Sequence, residues 1–145
     1  MATQWDSIQN FLLYLVVTLP LLGFGIWVFA ITTPYKEFAL IRDGANTDDL
    51  AKVNAAKAAA HDIGGKIIGL AIVLTSAIYH SLGLLDLVVW GVLGIIFQVA
   101  VFYLFELVTP FKVISEIPKG NVSVGIFTSR LSLATGLLMA ALISY

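Results

Sequence analysis

Thr33-Pro34-Tyr35-Lys36 recurs as Thr109-Pro110-Phe111-Lys112. Each tetrapeptide follows directly on a long apolar run and precedes a polar turn and a second apolar run, so the pair marks one point in two copies of a hairpin. The two threonines are 76 residues apart, and at that offset Tyr14 falls on Trp90, Trp27 on Tyr103, Phe38 on Ile114 and Ile41 on Ile117. Past the elbow the offset becomes 67. Asn54 to Gly69 and Asn121 to Gly136 are both fifteen residues, so the first copy carries about nine more in its loop.

Composition puts both copies in a bilayer. With 59% hydrophobic residues, 12% charged residues and a mean hydropathy of +0.96, a chain of 145 residues has more apolar surface than a soluble domain could bury. A net charge of -1 gives no footprint for nucleic acid, and with no cysteine there is no disulfide framework, thiolate metal site or cysteine nucleophile.

A hydrocarbon core of ~30 Å needs roughly 20 apolar residues in a helix. Four segments qualify: about Phe11 to Thr32, about Ile63 to Leu82, Leu87 to Val108, and about Val122 to Ser144. The first does not read as a secretory signal, because residues 1–10 lack Lys and Arg and include Asp6. The fold class is therefore an all-α polytopic membrane protein: four transmembrane helices as two tandem hairpin repeats of one orientation, with short interfacial helices at the cytoplasmic face. Residues 1–82 form the first repeat, with a longer charged loop at 33–62, and residues 83–145 the second. Such copies are expected to be related by a pseudo-twofold axis along the membrane normal.

Sidedness follows from the basic residues. All eight, Lys36, Arg42, Lys52, Lys57, Lys66, Lys112, Lys119 and Arg130, lie in or beside the two elbow connections. The positive-inside rule then predicts cytoplasmic elbows and both termini outside.

Thr33 reads as an N-cap with Pro34 at the first helical position. In the short helix expected to follow, Tyr35, Phe38 and Ile41 recur on one side and Lys36 and Glu37 on another, the pattern of a half-buried surface helix. Phe111, Ile114 and Ile117 repeat it before the turn Pro118-Lys119-Gly120-Asn121. Asn46 or Thr47 can cap a helix whose first turn holds Asp48 and Asp49, and the Ala- and Lys-rich run from Leu50 to Ala60 predicts a cytoplasmic extension of the second span. At the outer turn, Gly83 suits a helix C-cap and Asp86 the cap of the third span. Pro20 predicts a kink in the first span.

The Thr-Pro elbow, the amphipathic stretch after it, the Gly-x-Asn or Gly-Asn turn and the small residues down the next helix together resemble the family of domain of unknown function 350, the YjfL-like small bacterial inner-membrane proteins. The resemblance covers about Phe24 to the C-terminus. It implies two such units in one chain and a bacterial inner-membrane location, and it brings no activity. The longer first loop, where Asn46 and Asn54 compete for the turn position, departs from the family pattern.

Chemistry in a membrane protein is sought first among its intramembrane charges. Arg130 is followed by only fifteen residues, a rise of ~22 Å. It can snorkel to the interface, pair with Glu106 at a similar depth, or belong to an ion or substrate site. Lys57, His61, Asp62 and Lys66 form a candidate interfacial cluster in which Asp62 and Lys66, spaced i and i+4, are expected to be a surface ion pair. Gly65 and Gly69, with Gly136, are candidate helix-packing positions. Gln98 and Thr135 are expected to bond between helices. No metal, cofactor or nucleic-acid motif and no catalytic constellation is present, so an enzyme is not expected.

Two readings of function remain. One is a small scaffold, a homo-oligomer packed through its glycines, that presents its elbows to a cytoplasmic or membrane partner. The other is an oligomeric channel or transporter for an ion or small solute that uses Arg130 and Glu106.

Overall fold

A computed structural model describes residues 3–143, so the expected end of the fourth span at Ser144 lies outside the described residues. The chain is all helical: α1 (Gln4–Thr32), α2 (Glu37–Gly44), α3 (Leu50–His80), α4 (Leu84–Val108), α5 (Val113–Glu116) and α6 (Val122–Ile143). Among the described residues, α1, α3, α4 and α6 are long and apolar enough to span a bilayer. α3 is the longest, with 31 residues and a length of ~46 Å. It therefore begins well before the predicted span, as one unbroken helix with its charged extension.

α3 makes the most extensive contact in the molecule, against α6. Small residues line it. Cβ atoms added at Gly125, Gly65 and Gly136 would stand 2.4 Å from the carbonyl oxygen of Ala58, 2.4 Å from the Ser129 Cα and 2.3 Å from the carbonyl oxygen of Gly69. Gly125 on Ala58 and Gly136 on Gly69 are both pairs of residues 67 apart in sequence. α1 and α4 cover the other side of α3, where Leu21, Phe29, Ile63, Leu70, Leu74 and Ile95 form one core. A second core gathers both elbows: Tyr35, Ala58, Ala59, Phe102, Val113, Ile117 and Val124. Only the later half of α1 takes part, since its buried residues are Leu21, Gly25 and Phe29. Pro20 lies inside the helix and is exposed.

Several caps differ from expectation. Thr33 is the C-cap of α1 rather than the N-cap of α2, and its hydroxyl donates to the Phe29 carbonyl at 2.8 Å. Thr109 closes α4 in the same way, donating to the Phe105 carbonyl at 2.7 Å. The residue before a proline is pushed out of the helical region, so the preceding helix stops at each Thr-Pro. The next helix starts only at Glu37 or Val113. That delay changes the phase of α2: Glu37 is fully buried and Phe38 is 52% exposed, so the expected Tyr35, Phe38, Ile41 stripe does not form. Asp49 caps α3 in place of Asn46 or Thr47, accepting from the Ala51 amide at 3.0 Å. Gly83 is the N-cap of α4, and Asp86, inside that helix, accepts from the Leu82 amide. In the second turn Gly120 has φ +84°, a left-handed conformation that requires glycine there.

Candidate functional site

The first elbow closes over a group of buried charges. Lys66 of α3 sends its ammonium to Asp62 Oδ2 at 2.7 Å, Thr33 Oγ1 at 3.0 Å and Glu37 Oε1 at 3.3 Å. Those three acceptors use all three ammonium hydrogens. The Tyr35 hydroxyl donates to the same Asp62 oxygen at 2.8 Å. The ammonium also lies 4.4 Å from the centre of the Phe102 ring on α4, within cation–π range. Glu37 and Asp62 are 0% exposed and Lys66 is 4% exposed.

The expected surface ion pair is therefore a buried one. Spacing along α3 correctly joins Asp62 to Lys66, but Glu37 arrives from another element and closes the site from above. Pair and partner together tie the elbow to the α3 shaft. Two carboxylates face one ammonium, and Glu37 Oε2 and Asp62 Oδ1 are buried without a hydrogen-bond partner. Removing an ion from water costs several kcal/mol even after relaxation. Burial pushes the Glu37 carboxyl above its ordinary range, and Lys66 offsets this only in part. Burial likewise raises the Tyr35 hydroxyl, helped by the Asp62 carboxylate, so Tyr35 stays a donor.

The cluster lies between two spaces. On the α2 side a groove of about 570 Å³ is lined by Ile31, Thr33, Pro34, Lys36, Glu37 and Phe38. On the α4 side is a cavity of about 10 Å³ bordered by Thr33, Lys66, Gln98 and Phe102. That is close to the least space that admits one water.

The other candidates separate. Lys57 and His61 lie on the exposed face of α3, turned away from Asp62 and Lys66. Arg130 is exposed, and among the described residues no ion pair joins it to Glu106. Glu106 is buried and serves the second elbow: its carboxylate accepts from the Ile114 amide at 3.3 Å, and its carbonyl accepts from Lys112 Nζ at 2.8 Å. Lys36 is exposed. Thr135 bonds to the Leu131 carbonyl of its own helix and Gln98 Nε2 has no partner, so neither is seen to bridge helices through those atoms. Among the described residues no group of His, Asp and Glu has the makings of a metal site.

Sequence reading missed Glu37, Thr33 and Tyr35 as members of the site. Their signal was present in the comparison of the elbows. Tyr35 and Glu37 fall on Phe111 and Val113 at an offset of 76, and Asp62 and Lys66 on Ser129 and Leu133 at 67. Thr33 recurs as Thr109, whereas the three charged members and the Tyr35 hydroxyl have no like residue at the matching positions.

The family model described as Domain of Unknown Function (DUF350) matches residues 3–143. The UPF0719 transmembrane protein YshE of Bacillus subtilis (strain 168) is 32% identical over 144 residues, which is 97% of this chain and 98% of that protein. The UPF0719 inner membrane protein YjfL of Escherichia coli (strain K12) is 24% identical over 140 residues, 97% of each chain. No solved structure matches.

Proposed function

Because this chain belongs to the DUF350 family, we propose that it is a small inner-membrane scaffold that presents its first elbow and the turn into α3 to a protein partner, without catalysing a reaction. The observation that supports this is the buried bond set from Tyr35 and Glu37 to Asp62 and Lys66. It holds the polar segment as a firm hairpin of α2 against α3, where a loose loop would need no such anchor. In this reading both termini are outside and the elbows are cytoplasmic, in keeping with the basic residues around them. The two membrane repeats are held together by the α3–α6 contact, and two of its close pairs, Gly125 with Ala58 and Gly136 with Gly69, have the 67-residue spacing that supports a twofold relation. Gly65, Gly69 and Gly136 are used inside the chain, so a homo-oligomer would form on other surfaces. The exposed half of α1 before Pro20, with Phe11, Leu12 and Val16, is the surface offered.

A photo-crosslinking residue at Phe38 or Asn46, both exposed, is expected to give one defined adduct in cells. No adduct above that from a control at Leu137, or a Phe38 adduct unchanged after deletion of residues 45–49, would count against the docking role. An alkaline phosphatase fusion after Tyr145 should be active, and an inactive fusion reverses the orientation. A stable monomer in mild detergent would remove the oligomer.

The second reading, an oligomeric channel or transporter, draws its support from the Lys66 cluster rather than from Arg130 and Glu106, because buried ionisable groups in membrane helices are commonly functional. Proteoliposomes that pass no ion or solute would end it.

A further inference from the structure

We propose that Glu37, Asp62 and Lys66 form a buried proton-binding site beside the groove on the α2 side, in which Glu37 carries a proton that makes the cluster neutral. The inference is independent of any docking partner, since it concerns only the charge state of the cluster.

Charge counting comes first. With all three groups ionised, the site would hold one uncompensated negative charge among side chains that are 5% exposed or less. Exposed counter-charges do not reach it. The groups facing Glu37 are Asp62 and Lys66 from α3 and the Tyr35 hydroxyl from the elbow. From α4, Glu106 adds a further negative field at Tyr35, and the contacts to α1 are through the neutral Thr33 and Phe29. Every charge in this environment other than Lys66 is negative.

Hydrogen bonding then selects the carboxyl. Asp62 Oδ2 receives the two short bonds, 2.7 Å from Lys66 and 2.8 Å from Tyr35. Glu37 receives the longer Lys66 bond, 3.3 Å, with weaker help from Thr33 and its own backbone, and burial outweighs them all. Bonds from charged and neutral donors favour the ionised form of a carboxyl, so the proton is assigned to Glu37, which receives the longer bond from Lys66. The proton sits on Glu37 Oε2, one of the buried oxygens without a hydrogen-bond partner. It enters from water in the groove that Glu37 lines. An O–H bond forms on the carboxylate, and the reverse step returns the proton to the same water.

The second elbow shows that the fold does not need this arrangement. Phe111, Val113, Ser129 and Leu133 stand at the corresponding offsets, and Val113 is as deeply buried as the carboxylates, at 2% exposure. There Phe111 and Val113 replace Tyr35 and Glu37, and the buried Glu106 carboxylate accepts from the Ile114 amide instead of from a lysine. The buried ion pairs of Lys66 with two carboxyls have no counterpart at those positions of the second elbow.

Infrared spectroscopy of the full chain in phosphatidylcholine vesicles tests the proposal. At neutral pH the wild-type protein should show the carbonyl stretch of a protonated carboxyl, and the band should vanish as the pH is raised. Glu37→Gln should remove it and Glu116→Gln should leave it. Absence of the band from the wild type at neutral pH, or its survival in Glu37→Gln, overturns the assignment. Should Glu37→Gln fail to fold, carboxyl-13C glutamate in Glu106→Gln gives the same decision. The labels then sit on Glu37 and on Glu116, whose carboxyl is held ionised by Asn121 and Lys119. A band that shifts with the label supports Glu37, and an unshifted band overturns it.

Discussion

A Cβ on Gly136 would stand 2.3 Å from the carbonyl oxygen of Gly69, so the backbones of α6 and α3 meet with no side chain between them. Backbone cannot yield as a flexible side chain can. Gly136→Ala should therefore destabilise the fold by about 1–3 kcal/mol, the usual cost of overpacking. Gly23→Ala, where a Cβ meets nothing within 4 Å, should cost nothing measurable. Unfolding of the two variants in mixed detergent micelles makes the comparison.

Lys66 is the sole cation among the two buried carboxyls of its site. Lys66→Met should lower stability by about 3–5 kcal/mol, as removal of one partner from a buried ionic group does. Adding Glu37→Gln and Asp62→Asn to that variant should restore part of the loss, because the uncompensated charge goes with them. Thermal aggregation midpoints of the single and triple variants check the sign of the coupling.

Tyr35→Phe makes the first elbow resemble the second at that position. It removes the 2.8 Å bond to Asp62 while keeping the ring, and should cost about 1.5–3 kcal/mol, typical of a hydrogen bond to a charged group. Phe111→Tyr, at a half-buried position, should be close to neutral. Detergent unfolding of both variants reads the difference.

The raised Glu37 carboxyl sets a direction for pH. Folding holds its proton more tightly than the unfolded chain does, so its contribution is complete below the ordinary glutamate range, near 4.3. That contribution declines as the pH rises through the elevated folded value. Hydrogen exchange of the α2 amides should accelerate toward alkaline pH beyond the intrinsic base-catalysed increase, and the excess should be absent in Glu37→Gln. Equal protection factors across the range in the wild type would contradict the linkage.

Length and hydropathy made the four spans readable, because a membrane demands both over about 20 residues. The elbows were readable as places and misread in detail. Thr-Pro satisfies two physical roles, N-cap with proline at the first position or helix stop before proline, and the bond from Thr33 to Phe29 selects the second. Lys66 and Asp62 were joined correctly because their i, i+4 relation is local. Their burial was not readable, since it depends on the first elbow, with Tyr35 and Glu37, and on Phe102 of α4 arriving from two other places in the chain. Glu106 and Arg130 were paired by depth alone, which leaves out azimuth: Glu106 turns toward the α5 amides, and Arg130 points outward.

α3 begins twelve residues before the buried charge of Asp62, and a helix advances ~18 Å over that distance. Electrostatic screening in physiological salt has a length of ~8 Å. The tip of this mast, with Asp48 and Asp49, therefore stands at about two screening lengths from its base and meets the ionic composition of bulk solution. In the proposed orientation its foot lies at the lipid surface, where headgroup charge sets a different local acidity. One rigid rod thus samples two electrical environments at once.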